Sequence, residues 1–292
     1  MIRLLVTGQQ GQVARSLVYQ AKRHPEIEVM AVGRPQLDLE NPASVRAAIN
    51  AARPDIVVNA AAYTAVDKAE QEEAKAFAIN RDGAAVVAAA CLCVPLIHLS
   101  TDYVFSGAKP EPYVESDATC PINVYGKSKL AGEIAVRAAH PSALILRTAW
   151  VYSPFGGNFV KTMLRLARAR DEISVVDDQT GNPTSALDLA DAILRIAPEL
   201  AAGRNTSPIL HLCGSGDATW CGFAREIFAI SKSLGGPHAV VHAIRSADYP
   251  TLAQRPKNSY LLSAAFHGQF GFQLRPWQEA TEETIKQLLL PL

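Results

Sequence analysis

Tyr125 and Lys129 stand four residues apart in the run Tyr125-Gly126-Lys127-Ser128-Lys129. In a helix they project from one face. A phenol beside an ammonium is a proton-transfer device, because the fixed positive charge favours the phenolate and lowers a pKa that is about 10 in water. Upstream, the run Ser100-Thr101-Asp102-Tyr103-Val104-Phe105 adds a hydroxyl, Thr101, able to anchor a carbonyl. Proton donor, tuning charge and anchor together suit hydride transfer at a ketone or secondary alcohol. The same spacing also occurs in ordinary amphipathic helices, so the surrounding elements decide its meaning.

Those elements begin with an apolar strand, Ile2 to Thr7, a turn Gly8-Gln9-Gln10-Gly11-Gln12-Val13-Ala14, and a helical pattern from Ser16 to Arg23. Strand, glycine turn and helix in this order make a dinucleotide-binding reading of G-x-x-G-x-x-A. Gly8 permits the tight turn, Gly11 lets backbone approach a pyrophosphate, and Ala14 is small enough for the helix to pack on the strand. The helix N-terminus offers free N–H groups and a positive dipole end to phosphates. A second strand, Glu28 to Val32, ends at Gly33-Arg34, where a carboxylate would hold a ribose 2′-hydroxyl and an arginine accommodates a 2′-phosphate. The cation favours NADPH and leaves NADH open. Asp38-Leu39 follows, placed for adenine or ribose contacts.

A third strand, Asp55 to Ala60, ends in Asn59-Ala60-Ala61-Ala62-Tyr63-Thr64, small residues at the edge where open α/β sheets bind ligands. A long helical segment runs from Glu72 to Cys91, with Asn80 readable either as a buried bridge or as a solvated residue. Pro95 to Leu99 delivers Ser100 and Thr101 to the same edge. The proline-containing loop Ser106 to Ile122 then leads into a helix that begins near Val124 and carries Tyr125 and Lys129. Ala143 to Arg147 is another strand, ending at Thr148-Ala149-Trp150-Val151-Tyr152. This alternation predicts an α/β fold, a Rossmann-type doubly wound parallel sheet covered on both faces.

Beyond Tyr152 the alternation loosens. Helical patterns cover Asn158 to Arg170, Leu187 to Ile196, Trp220 to Leu234 and Pro276 to Leu290, with strand-like runs at Ser174 to Asp178 and Ile209 to Cys213. The expected division is a dinucleotide-binding domain over residues 1–150 and a mainly substrate-binding lobe over 151–292, with some elements returning to the sheet. Trp150, at a strand end, offers a flat apolar wall or belongs to the core. Arg255 and the helix after Asn158 are candidates for a diphosphate.

The 292 residues are 49% hydrophobic and 19% charged, a globular composition. Lys plus Arg and Asp plus Glu both number 28, so no net field draws the chain to nucleic acid or to an anionic membrane. The five cysteines are scattered, and Cys91-Leu92-Cys93 lacks the two-residue gap of zinc and redox motifs, which reads as buried free thiols in a reducing compartment. With no basic and apolar leader and no apolar run of about 18 residues, a cytoplasmic protein is expected.

Taken together, Gly8–Val13, Asn59–Glu70 (NAAAYTAVDKAE), Ser100–Phe105 (STDYVF), Tyr125–Lys129, Arg147–Tyr152, Gln179–Thr184 and Arg255–Ser259 resemble the extended short-chain dehydrogenase/reductase superfamily, and within it the reductases of 4-keto sugar nucleotides. The resemblance extends over nearly the whole chain. It implies NAD(P)H-dependent reduction of the 4-keto group of dTDP-4-dehydro-β-L-rhamnose, with Thr101, Tyr125 and Lys129 as the catalytic group. It assigns the cofactor to Gly8, Gln10, Gly11, Gln12, Val13, Arg34, Asp38, Leu39, Ala60, Ala61, Ala62, Tyr63, Leu99, Tyr125 and Lys129. Thr101, Asp102, Tyr103, Val104, Phe105, Tyr125, Trp150, Asn158 and Arg255 are assigned to the sugar nucleotide. Some relatives carry a glutamate early in the first helix that helps bind Mg²⁺ between subunits; Ala14-Arg15-Ser16 offers no carboxylate, and both monomer and homodimer stay open. An epimerase or dehydratase of the same superfamily is the alternative reading, and a non-catalytic dinucleotide-binding subunit, which would be expected to lose the Tyr or the Lys, a remoter one.

Overall fold

The computed structural model describes residues 1–289. The first half contains β1 (Ile2–Thr7), α1 (Gln12–Gln20), β2 (Ile27–Val32), α2 (Pro42–Ala52), β3 (Ile56–Asn59), the short helices α3 (Val66–Ala69) and α4 (Glu73–Phe77), α5 (Ala84–Ala90), β4 (Leu96–Thr101), α6 (Val124–Ala139) and β5 (Leu144–Thr148). The second half contains β6 (Val151–Tyr152), α7 (Phe159–Ala167), β7 (Glu172–Val176), β8 (Thr180–Gly181), β9 (Thr184–Ser185), α8 (Ala186–Ala201), β10 (Ile209–His211), β11 (Ala218–Thr219), α9 (Trp220–Ser233), β12 (Val240–Ile244), α10 (Ala264–Phe270) and α11 (Trp277–Leu289).

Six strands form one parallel sheet in the order β10-β5-β4-β3-β1-β2. Every residue of β3, β4 and β5 is buried, as a sheet covered on both faces requires. Side-chain alternation then sends neighbouring residues to opposite layers. Leu4, Val6, Ile56 and Val58 pack with Ala14 and Leu17 of α1 and with α8, while Leu5, Val57 and Ile145 pack with α2, α5 and Val136 of α6. The predicted doubly wound sheet is therefore the fold observed. β10, from the second half of the chain, pairs with β5. A separate apolar cluster joins α7, β7, α9 and α11 around Phe223 and Trp277.

Where the elements differ from expectation, packing explains the difference. The segment Glu72 to Cys91 is not one continuous helix, because a wide helical turn at Ala78–Gly83 separates α4 from α5. There Asn80 is buried, accepting from Tyr63 N at 2.8 Å and donating to Ser128 Oγ at 2.9 Å, so it is a polar bridge. The helix expected to end at Ile196 continues to Ala201 through Pro198, because its buried stripe extends to Ala197 and Leu200. Of the last predicted helix, Leu290 lies outside the described residues. Among the described residues no helix is long and apolar enough to cross a membrane.

Candidate functional site

The strand order turns at β1 and β3, and it is beyond the carboxyl ends of such strands that doubly wound sheets bind ligands. A cleft of about 880 Å³ opens there. Thr7, the last residue of β1, sets its floor: Thr7 Oγ1 donates to Asn59 Oδ1 at 2.7 Å and accepts from the N–H groups of Ala60 and Ala61 at 3.1 and 3.0 Å. These bonds satisfy the strand end from within, so only small side chains face the cleft.

One wall is the start of α1. Side chains cap α6, α7, α8 and α9, namely Asn123, Asn158, Ser185 and Thr219. α1 begins at Gly11 with no side-chain cap. Its first N–H groups therefore face the cleft unpaired by any side chain, the arrangement that suits a phosphate. Gly8 has φ +93°, a left-handed conformation that glycine adopts freely, and a Cβ on Gly11 would meet nothing within 4 Å. Gln12 Oε1 accepts from Ser153 Oγ at 3.0 Å and from Asn158 Nδ2 at 2.9 Å, tying this wall to the second half of the chain. Arg34 is exposed at the rim.

The opposite wall holds the three residues expected to carry the chemistry. Thr101 ends β4, and Tyr125 and Lys129 lie on α6, which Asn123 starts by accepting from Gly126 N at 2.7 Å. Thr101 Oγ1 donates to Asp102 Oδ1 at 2.9 Å and accepts from Tyr103 N at 3.2 Å. Burial pushes the Tyr125 phenol up to about 12, a hydrogen bond with Thr101 pulls it down, and the Asp102 charge pushes it up. This reverses the expected lowering. The Lys129 ammonium, expected from the spacing to act on the phenol, is 3% exposed and donates to the carbonyl of Leu99 at 2.7 Å. Burial pushes Lys129 down to about 8, while the Glu133 charge holds it up. Burial also raises the Asp102 carboxyl to about 6 against the pull of its hydrogen bonds.

Trp150 closes the far end with φ +45°, a strained conformation for a bulky residue. Its indole stacks on Trp220 with ring centroids 3.5 Å apart and planes 5° from parallel. On Gly181 a Cβ would come within 2.6 Å of the Trp150 ring, so only glycine fits there.

The cleft brings together Gly8, Gln10, Gly11, Gln12, Val13, Arg34, Asp38, Leu39, Ala60, Ala61, Ala62, Leu99, Thr101, Asp102, Tyr125, Lys129, Trp150 and Asn158. Five expected residues do not line it. Val104 and Phe105 are fully buried, Phe105 stacking on Tyr113 at 4.2 Å, so they serve the core. Tyr63 donates its hydroxyl to Glu72 Oε2 at 2.8 Å. Tyr103 packs edge-on against Tyr125 at 5.8 Å, behind it. Arg255 already holds a carboxylate, donating to Asp67 Oδ2 at 2.7 Å and Oδ1 at 3.3 Å. Not singled out in the sequence are Glu133, which acts on Lys129, and Trp220, which stacks on Trp150; an i, i+4 spacing from Lys129 is the available signal for Glu133.

The family model described as the RmlD substrate binding domain matches residues 2–290. A dTDP-4-dehydrorhamnose reductase of Sinorhizobium fredii is 51% identical over 99% of this chain and 98% of its own length. The crystal structure of a dTDP-4-dehydrorhamnose reductase from Clostridium acetobutylicum superposes with TM-score 0.91 at 37% identity, covering 99% of this chain and 100% of that one. One from Bacillus anthracis, in complex with NADP, gives TM-score 0.89 at 36% identity, covering 98% and 99%. By sequence along its whole length, and by a fold that sets Thr101, Tyr125 and Lys129 on one cleft, this chain belongs to the dTDP-4-dehydrorhamnose reductase family.

Proposed function

We propose that the protein reduces the 4-keto group of dTDP-4-dehydro-β-L-rhamnose to dTDP-L-rhamnose with NADPH. The observation that carries this reading is the meeting of Thr101, Tyr125 and Lys129 on the cleft that the uncapped start of α1 also faces. A dinucleotide suits the residues present: the α1 N–H groups and open Gly11 would hold the pyrophosphate, Ala60, Ala61 and Ala62 leave room along the strand ends, and Arg34 would meet a 2′-phosphate. The B. anthracis relative bound to NADP supports that choice. When bound, the nicotinamide supplies the hydride.

The chain's own residues do the rest. Thr101, steadied by the Tyr103 amide, turns its one hydroxyl proton from Asp102 to the substrate carbonyl and fixes its position. Tyr125, kept in its protonated form by burial, delivers the phenolic proton to the oxygen as negative charge develops there, so no free alkoxide builds up. Lys129, one helical turn on from Tyr125, adds a buried positive charge to the same cleft wall, where it suits the ribose of the nicotinamide. Trp150 offers the deoxysugar a flat apolar wall. Residues 1–150 serve the dinucleotide and 151–292 mainly the sugar nucleotide, with α8 and β10 lent to the sheet.

Tyr125→Phe tests the reading. The variant should lose at least about 10³-fold in kcat, as removal of a proton donor does, with NADPH affinity little changed. Turnover near that of the parent protein would contradict it.

A further inference from the structure

One helical turn beyond Lys129, α6 buries a carboxylate that does not line the cleft. Glu133 is 2% exposed and so is Arg147 of β5. Arg147 Nε donates to Glu133 Oε1 at 2.9 Å and Nη2 to Oε2 at 2.7 Å, a two-pronged grip, and Ser100 Oγ donates to Oε1 at 2.5 Å. Ser100 and Arg147 face each other in the β4–β5 register. The carboxylate thus ties together the residue before Thr101, the residue before Thr148, and the helix of Tyr125 and Lys129. A buried ion pair is often no more stabilising than apolar residues of the same volume. Stability alone therefore does not account for this one.

The charges around Lys129 give it a task. From β4, His98 faces the lysine and is held neutral, well below its ordinary range, by burial and by the Lys129 charge. From β10, His211 lies behind Arg147 and is pushed down to about 3 by burial and the Arg147 charge. Tyr125, on the same helix, is a neutral phenol, and Asp102 acts on Tyr125 and Tyr103. Glu133 is the anion that acts on Lys129, opposing the effect of burial.

We propose that Glu133 is a positioning residue of the reduction: gripped by Arg147 and Ser100, it keeps the buried Lys129 amine charged and fixed on the cleft wall it shares with Tyr125. This rests on the assignment of Lys129 to the reacting group. Without the carboxylate, Lys129 and Arg147 are two buried cations with no anion between them. Arginine is the stronger base and keeps its proton, so the lysine gives its own up.

The test follows kcat/KM from about pH 5.5 to 9.5, together with NADPH affinity by fluorescence quenching over the same range, in the parent protein, E133D, E133Q and E133Q/R147M. The double variant replaces the buried pair with neutral side chains of similar volume and keeps the test open should E133Q not fold. E133Q should move the alkaline fall in kcat/KM and in affinity downward by at least about one pH unit, and E133Q/R147M, which also removes the Arg147 charge, should move it in the same direction by less, with most activity recovered on the acid side in both. E133D, which keeps the charge, should retain the parent midpoint. A uniform loss of activity in the folded variants, with the midpoint unmoved, overturns the proposal. A parent protein that oxidises no NADPH with the 4-keto sugar nucleotide would instead overturn the functional reading on which it rests.

Discussion

Gly126 packs so tightly on Tyr103 that a Cβ there would lie 2.2 Å from the Tyr103 carbonyl oxygen and 3.0 Å from Pro121 Cβ. This approach seats the first turn of α6 on the short helical turn after Thr101, and it brings the rings of Tyr103 and Tyr125 edge to face. The glycine after the tyrosine is thus what allows Tyr125 and Thr101 to meet. Gly126→Ala must push two backbones apart, at a cost of about 3 kcal/mol. A Tm lower by about 5–10 °C and a kcat lower by at least about tenfold are expected, from thermal unfolding and steady-state kinetics. Parent-like values of both would show the contact to be unimportant.

In the proposed reduction Thr101 contributes its hydroxyl and nothing else. Thr101→Ala should lower kcat by about 10²-fold, the usual cost of one oxygen-stabilising donor, while Thr101→Ser, which keeps the hydroxyl, should retain most of it. Equal losses in the two variants would assign the effect to packing.

Asp102 makes stability depend on pH. Its folded pKa of about 6 lies above the ordinary 3.8, chiefly because it is buried, so the folded state binds its proton more tightly than the unfolded state. The stability this group contributes is full below about pH 4 and is lost as pH rises to about 6 and beyond; the whole effect is worth about 3 kcal/mol. Asp102→Asn is neutral throughout. Denaturant unfolding should find the variant more stable than the parent at pH 8, with the gain vanishing near pH 4. The same difference at both pH values would contradict the assignment.

Trp220 acts through Trp150. Removing its face-to-face support leaves the strained Trp150 free to leave the cleft wall. Trp220→Ala should therefore raise KM for the sugar nucleotide by about tenfold while leaving NADPH affinity unchanged. An unchanged KM would mean that the wall holds itself.

The parallel sheet was legible because β1, β3, β4 and β5 are apolar at both faces and alternate with helical patterns. The glycine turn before α1 and the Tyr125–Lys129 pair on α6 were legible because their spacing is local. Contacts between distant segments were not. Arg255 read as a free cation until Asp67, 188 positions away, was found in its grip. Val104 and Phe105 shared a motif with Thr101, but strand alternation ends at the turn after β4 and sends them into the core. The sign of the Tyr125 shift was misjudged because burial, which spacing does not report, outweighs a lysine turned toward the Leu99 carbonyl. Trp150 read as core or wall with equal right; it lines the cleft while packing on the core, with a left-handed backbone and a stack on Trp220 that spacing does not report.

The most direct test of the whole account is the absorbance of NADPH followed against dTDP-4-dehydro-β-L-rhamnose, with the sugar product analysed alongside. A reductase consumes one NADPH for each dTDP-L-rhamnose formed, and that equality is the predicted result. Conversion of the sugar nucleotide with no net loss of NADPH would show that the hydride returns to its source, as in an epimerase or dehydratase, and would contradict it.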